Sequence, residues 1–406
     1  MTFSSDCQSF EDFIEGIKLE SQNSGRNQTK TLIVRWLKEE NQIKYKILTS
    51  NIEENLDFPE NEVDWDATQN IDPDIIRRET ILSAWNNLRD CIASASTREI
   101  DNDNESWKNI FDSLIANSKV FAEAFIPQSI RENIRNFDFG TLLTIDTNEC
   151  TIPWEMIYDS DLNCFWGNNF LIAHIPLCIE SENNLPIAHL SYRNTTISNQ
   201  ENLTIRNIVG YGISPKTRSD ARILFDFLPA QDNFDVESIE STTPSSLSTL
   251  TKSLEINILN ITCKGRHRTE SADPSQIVCR YYLQIHETSE TSQNLTLERI
   301  QELNLNNCNI VFANACSSVI PILTVNDFRN FGWEFYRNGA KVYIGTLGEI
   351  PEKYMCEFTS IFYKALINGE PATISSAYTT AKSHLIKKHP FALFYRIYGN
   401  PNFQVI

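Results

Sequence analysis

The sequence predicts an α/β fold in which a mostly parallel sheet is flanked by helices on both faces. From about residue 204 onward, short apolar strand patterns alternate with helical patterns, which is typical of βαβ units. Nine of the 13 glycines follow residue 203, where the turns between such elements are expected. Hydrophobic residues make up 41% of the chain and charged residues 22%, as in globular proteins with a sizeable core.

The chain divides into three predicted regions, namely residues 1–104, 105–203 and 204–406. The first is an unassigned mixed α+β region, with a β-hairpin pattern at 29–51 and helical spacing of apolar residues at 73–97. The second carries a further helical pattern and then Pro153-Trp154-Glu155. We expect Glu155 to be a buried, paired carboxylate that supports packing rather than a catalytic acid. The third region contains the alternating strands and helices.

Composition and charge exclude several classes of function. The net charge of −18, from 53 acidic and 35 basic residues, disfavours direct nucleic-acid binding, which needs basic residues. No apolar run approaches the roughly 18 residues of a membrane span, and the acidic N-terminus lacks a signal sequence. We therefore expect a cytoplasmic protein without membrane contact. The ten cysteines show no C-x-x-C pair and no zinc-ligand spacing, which predicts reduced thiols and no metal or other cofactor.

Two predicted strands end in residues that can carry chemistry. The strand at 256–262 is followed by Lys264 and Gly265, and the strand at 308–315 is followed by Cys316. In open α/β sheets, functional groups gather beyond the carboxyl ends of the strands, and parallel neighbours lie about 4.8 Å apart. If these two strands are adjacent, the side chain of residue 264 and the thiol of Cys316 can face each other.

The motifs around these strand ends occur in an ordered series. They are "ITCKG", "VFANACSS", "FYRNGAKVYIGTL" and "FYRIYGNP", preceded by "IPWEMIYD". The series resembles the CHAT family, the caspase-fold cysteine peptidases related to separase and caspases, over roughly residues 105–406. The resemblance implies a caspase-like sheet. It also implies a role in prokaryotic signalling or defence, where a partner or sensor often switches such proteins on.

The resemblance further implies roles for the residues at the two strand ends. Cys316 maps to the nucleophile, and the backbone N–H groups of Gly265 and Cys316 map to the oxyanion hole. The catalytic histidine of the family maps to Lys264, and the stretch "GTLGEIPE" lacks the family's Trp and acidic residue. A protonated lysine has three donors and no acceptor, so it cannot act as a base. The sequence leaves open whether the chain is an enzyme; an active form would be a caspase-like cysteine endopeptidase.

Three interpretations of this site remain open. In the first, the chain is a degenerate peptidase that keeps the fold as an interaction module. In the second, His267 supplies the missing imidazole, because Gly265 permits an unusual turn that folds the loop back over Cys316. In the third, Lys264 lowers the pKa of the thiol and holds a thiolate. In each case we expect another protein, an activator, a sensor or a substrate, as the partner.

Overall fold

The computed structural model of the chain describes most of the predicted α/β region and parts of the two regions before it. The described residues are 29–37, 40, 42–48, 65–70, 78–96, 104–176, 202–203, 207–212, 235–240, 244–253, 255–270, 278–285, 294–323, 328–369, 372–386 and 390–405. The strands in them are β1 Thr29–Leu37, β2 Gln42–Leu48, β3 Ala67–Asn70, β4 Leu142–Thr147, β5 Tyr158–Asp159, β6 Cys164–Phe165, β7 Leu171–Pro176, β8 Asn202–Leu203, β9 Asn207–Gly212, β10 Asp235–Glu240, β11 Ile258–Thr262, β12 Lys264–Glu270, β13 Val278–Gln284, β14 Ile310–Asn314, β15 Ile322–Leu323, β16 Phe328–Arg329, β17 Val342–Thr346, β18 Tyr395–Gly399 and β19 Gln404–Val405. The helices in them are α1 Arg78–Ser96, α2 Asn104–Phe125, α3 Gln128–Arg135, α4 Trp166–Asn169, α5 Pro244–Ser253, α6 Leu297–Ile300, α7 Phe331–Arg337, α8 Glu352–Asn368 and α9 Ile374–Ile386.

Eleven of these strands form one sheet, in the order β10-β9-β11-β14-β17-β18-β7-β4-β1-β2-β3. Neighbours from β10 to β17 are parallel, and neighbours from β18 to β1 are parallel as well. The antiparallel pair β17–β18 joins these two halves, which therefore run in opposite directions. The predicted α/β class with a mostly parallel sheet is confirmed. Strands from all three predicted regions contribute to this one sheet.

Helices cover both faces of the central strands. β11, β14, β17 and β18 are buried at every position, as expected for strands between two helical layers. On one face Phe312 lies against α8, with ring centroids 5.3 Å from Phe362 and 5.8 Å from Tyr363. On the other face Tyr398 packs against α7 so closely that a Cβ at Gly332 would overlap its ring. The residue at 332 therefore has to be glycine.

The two strands expected to lie side by side are β11 and β14. They pair in parallel, with Ile258 opposite Ile310 and Thr262 opposite Asn314, which confirms the predicted adjacency. Both strands run in the same direction in this register, so they end level with each other at one edge of the sheet. The residues that follow them leave the sheet next to each other, and this edge carries the candidate site.

Polar residues and glycine set the boundaries of α7, the helix that precedes β17. The apolar pattern predicts a helix over 327–339, but α7 begins only at Phe331. The Asn330 side chain accepts a hydrogen bond of 2.9 Å from the Trp333 backbone N–H and so caps the first turn. The predicted glycine cap is confirmed, because Gly339 has a φ of 109°, a left-handed conformation that favours glycine.

Two other predicted elements turn out differently or lie outside the description. The pattern at 391–401 predicts one strand, but residues Pro390–Phe394 form a 3-10 turn and only then does β18 begin. Aromatic and aliphatic residues suit a buried 3-10 turn as well as a strand, so periodicity alone does not separate the two. A helix predicted at 220–228 lies outside the described residues.

Candidate active site at two strand ends

Cys316 lies in a tight turn directly after β14. The strand is buried throughout, Ala315 is buried, and the Cys316 side chain is half-buried at the edge of the sheet. Its sulfur takes part in no disulfide. The next residue, Ser317, has a φ of 58°, in the left-handed region that side chains other than glycine rarely adopt. Such strained positions often occur at functional sites, where the surrounding structure enforces them.

The end of β17 holds this turn in place. The Ser317 backbone N–H donates to the carbonyl of Gly348 at 3.1 Å. The Ser318 Oγ accepts a hydrogen bond of 3.1 Å from the Thr346 backbone N–H. The Thr346 hydroxyl lies 2.8 Å from the Ala315 carbonyl and 3.0 Å from that of Gly348. Three of the four bonds bind residues on either side of Cys316, so the backbone around the thiol is fixed by β17.

Lys264 stands at the neighbouring strand end. It follows the buried residue Cys263, begins β12, and is exposed. Because Thr262 and Asn314 are paired in register, Lys264 and Cys316 each lie two residues beyond a paired position on adjacent strands. The structure thus brings together the two strand ends that the sequence singled out.

Gly265 and His267 both lie in β12, which leaves the large sheet and pairs with β13 in a separate antiparallel ribbon. Gly265 is half-buried opposite Leu283, and the backbone of His267 lies opposite Tyr281. The second interpretation of the site requires a turn at Gly265 that folds the loop back, whereas pairing with β13 keeps the backbone of residues 264–270 extended. Three extended residues carry the His267 backbone about 10 Å along the strand from Lys264. The side chain of His267 lies outside the description.

A cluster of buried charged residues lies two and three strands from β14 in the sheet. It consists of residues on β18 and β7 together with Glu155. Arg396, which is fully buried, donates from Nε to Glu155 Oε2 at 2.9 Å and from a terminal nitrogen to the same oxygen at 2.6 Å. His174 Nε2 lies 2.6 Å from Glu155 Oε1. The Arg396 guanidinium also reaches the hydroxyl of Tyr398 at 3.4 Å. The expectation of a buried, paired carboxylate at Glu155 is confirmed.

The charges in this cluster follow from burial and from the arginine. Burial by itself would raise the pKa of Glu155, but the charge of Arg396 first, together with the hydrogen bond from His174, outweighs it and lowers that pKa to about 2. Burial lowers the pKa of His174 below its ordinary value, and Glu155 opposes this only in part. At neutral pH the carboxylate is therefore ionised and the imidazole neutral, with the Nε2–H of His174 donating to Glu155.

We expect replacement of His174 by glutamine to reduce the acid sensitivity of folding. An unfolded histidine titrates near pH 6.5, while the pKa of folded His174 is lower. Below about pH 6.5 the unfolded state therefore binds a proton that the folded state disfavours, and stability falls by up to about 1.4 kcal/mol per pH unit. Glu155 has a pKa of about 2 in the folded protein, so its contribution to the free energy of unfolding falls only below about pH 4.3.

Urea unfolding of both proteins at pH 7.5 and pH 5.5 checks this, with the unfolding free energy as the quantity compared. The wild type should lose more stability between the two pH values than His174→Gln does, since all other titrating groups are shared. Equal losses in the two proteins would contradict a neutral, buried His174.

Sequence reasoning did not find Arg396 or His174 as partners of Glu155. Arg396 is 241 residues from Glu155 along the chain, so no local pattern links them. One signal was present: an arginine inside the apolar run "FALFYRIYG". Because buried charges are almost always paired, a charged residue in a buried strand predicts a buried carboxylate elsewhere.

Two further findings bear on the kind of site. Among the described residues, no group of three or more His, Cys, Asp or Glu side chains is placed to hold a metal ion. No helix in the described ranges combines the length and apolarity needed to cross a bilayer. The side chains that follow the two strands are the thiol of Cys316 and the amine of Lys264.

The mostly parallel sheet between two helical layers, with Cys316 in a turn directly after the central strand β14, is the arrangement of a caspase-like α/β protein. The sequence profile of the CHAT domain matches residues 121–398. The chain belongs to the CHAT domain family. Among curated proteins, none matches the chain by sequence.

Solved structures with similar folds include one described as a protease and two protein complexes. The Saccharomyces cerevisiae separase–securin complex has 11% sequence identity and a TM-score of 0.51, covering 97% of this chain and 31% of that chain. A structure described as a protease has 14% identity and a TM-score of 0.44, covering 80% of this chain and 75% of that one. The complex of Porphyromonas gingivalis RgpB pro- and mature domains has 12% identity and a TM-score of 0.44, covering 82% and 78%. At these identities the likeness concerns the fold.

Proposed function

We propose that this CHAT-family protein belongs to a prokaryotic proteolytic signalling or defence system, has lost peptidase activity, and acts by binding another protein. One observation carries the proposal. Lys264 and Cys316 each follow by two residues the paired positions Thr262 and Asn314, and the resemblance expects the catalytic histidine at position 264. A protonated lysine offers donors only, so the position that should take the proton from the thiol has no acceptor.

The histidines whose side chains are described do not supply a substitute. His174 is buried against Glu155 at 2.6 Å on β7. His384 lies on α9 and pairs with Glu357 of α8 at 2.8 Å. Both imidazoles are thus engaged with carboxylates on elements other than β11 and β14, which supports a site without a general base.

The proposal is tested by comparing the wild type with Cys316→Ala. Both proteins are incubated with purified candidate partner proteins, and binding and cleavage are followed side by side. Neither should cleave, because loss of a general base removes about 100- to 10,000-fold of rate. Both should bind equally, since a half-buried thiol in a turn contributes little packing. Cleavage by the wild type that disappears in Cys316→Ala would overturn the degenerate interpretation.

A second candidate function is an active, partner-switched cysteine endopeptidase that uses Cys316 with Lys264 or His267. The left-handed Ser317, next to the thiol and held by Gly348, favours it, because enforced strain is common at working sites. A nearby ammonium group stabilises a thiolate. The exposure of Lys264 weighs against it, because lysines that transfer protons are usually desolvated.

Alkylation of Cys316 against pH separates the two candidates. A thiolate held by Lys264 should react well below the ordinary thiol pKa of about 8.5, and Lys264→Gln should shift that midpoint upward. A midpoint that stays near 8.5 in both proteins would contradict the Cys–Lys pair.

A further inference from the structure

The helix α1 lies outside the 121–398 segment that matches the CHAT profile. It nevertheless contacts the loop after β17 that contains Gly348. Ile92 of α1 is fully buried. Its side chain covers Gly348 so closely that a Cβ at position 348 would overlap the Cγ2 atom of Ile92. A side chain at position 348 would therefore force Ile92 to shift, so this contact depends on glycine at that position.

The same glycine is bonded to the turn that carries the candidate nucleophile. The Gly348 carbonyl accepts the Ser317 backbone N–H at 3.1 Å and lies 3.0 Å from the Thr346 hydroxyl. Ser317 is the left-handed residue next to Cys316. A continuous path of contacts thus runs from Ile92 through Gly348 to Ser317, and each step is a packed contact or a hydrogen bond.

The other buried contacts of α1 fix where it lies. The indole N–H of Trp85 donates to the Thr151 carbonyl at 2.6 Å, close to the Pro153-Trp154-Glu155 element. The Trp85 ring also packs on Phe121 of α2, with centroids 5.8 Å apart. One helix therefore contacts both Thr151, just before the Pro153-Trp154-Glu155 element, and Gly348, which is bonded to the Cys316 turn. Its opposite side, which includes Asn86 and Asn87, is exposed.

We propose that α1 is a regulatory brace of the Cys316 turn. While Ile92 packs on Gly348, the turn is held and the thiol is half-buried. A protein that displaces α1 loosens the turn. The inference rests on the proposed function in assigning a partner protein to this chain. The physical reason is that a strained left-handed residue persists only while its surroundings enforce it. Loss of the Ile92 contact lets the Gly348 loop relax and weakens the bond from the Ser317 N–H to the Gly348 carbonyl. The bonds of Thr346 to Ala315 and Ser318 remain, so the loosening is expected at Ser317, the residue next to Cys316.

The test measures the alkylation rate of each cysteine in the full chain with iodoacetamide, by mass spectrometry of peptides. Ile92→Ala should raise the rate at Cys316 by at least about fivefold, the lower end of the range for coupled sites. Ile92→Leu removes the Cγ2 contact while conserving volume and should raise the same rate. Cys308, which is buried, reports global unfolding and should stay unreactive.

Two matched variants complete the design. Asn87→Ala changes the exposed side of the same helix, and Ile134→Ala truncates an equally buried isoleucine on α3; neither should change the rate at Cys316. If Ile92→Ala exposes Cys308, Ile92→Leu decides the question. A rate at Cys316 within twofold of wild type in Ile92→Leu overturns the proposal, as does an equal rise in Ile134→Ala. The readout needs no peptidase activity, so failure of the brace and failure of the proposed function give separate results.

Discussion

Replacement of Arg396 by methionine is expected to lower the free energy of unfolding by about 3–5 kcal/mol. Arg396 is fully buried and makes charge-assisted hydrogen bonds of 2.6 Å and 2.9 Å to Glu155. Methionine keeps much of the side-chain volume but removes the cation that holds the pKa of the buried Glu155 low. At pH 7 the carboxyl group must then either stay charged without a partner or take up a proton on folding, and both cost free energy. A buried charge without a partner costs several kcal/mol. Urea unfolding at pH 7, followed by tryptophan fluorescence, measures the loss.

Two controls separate the ion pair from packing. Adding Glu155→Gln to Arg396→Met should recover part of the lost stability, because the unpaired charge is removed. Lys46→Met breaks a half-exposed pair of 3.2 Å with Asp66 and should cost less than about 1 kcal/mol. A loss in Arg396→Met no larger than that in Lys46→Met would show that the cluster does not stabilise the fold.

Lys264→His is expected to create or raise peptidase activity by about 100- to 10,000-fold over the wild type. The substitution puts an imidazole at the first residue of β12, two residues after the position where β11 pairs with Asn314, just as Cys316 lies two residues after Asn314. An imidazole can accept the thiol proton and return it to the leaving group. The backbone N–H groups of Gly265 and Cys316, the proposed oxyanion donors, are unchanged. Cleavage of candidate partner proteins, by gel and mass spectrometry, is the measurement.

Lys264→Gln is the matched control, since it removes the charge without adding a base and should remain inactive. Lys264→His combined with Cys316→Ala should lose the activity again. A Lys264→His protein that unfolds at the same urea concentration as the wild type and yet cleaves nothing would contradict this prediction. The cause of the missing peptidase activity would then lie at another position. The stretch "GTLGEIPE" after β17, which lacks the family's Trp and acidic residue, would then be the next place to change.

The part of the fold that could be predicted is the part with local signals. β11 and β14 are short apolar runs followed by a turn, and strands buried on both faces read this way. The connection of β18 to β7 could not be predicted, because it depends on pairing between Tyr398 and His174, far apart along the chain. The antiparallel pairing of β17 with β18 has no local sequence signal either.

The site shows the same division between local and distant information. Lys264 and Cys316 follow recognisable strands, so their shared sheet edge could be inferred before the structure was known. The position of the His267 backbone could not be inferred in this way. It depends on the pairing of β12 with β13, which follows after a loop. The contact of Ile92 with Gly348 could not be predicted either, because it joins helix α1 to a loop that lies far away along the chain.

The position of β18 in the sheet has a consequence for synthesis on the ribosome. β18 lies between β17 and β7 and is hydrogen-bonded to both, although residues 395–399 are made long after β7. A nascent chain that has not reached residue 395 can assemble two half-sheets but cannot join them. Each half then has an open edge strand, which is prone to pair with other chains. The edges at β17 and β7 are closed to other chains only when the five residues of β18 lie between them.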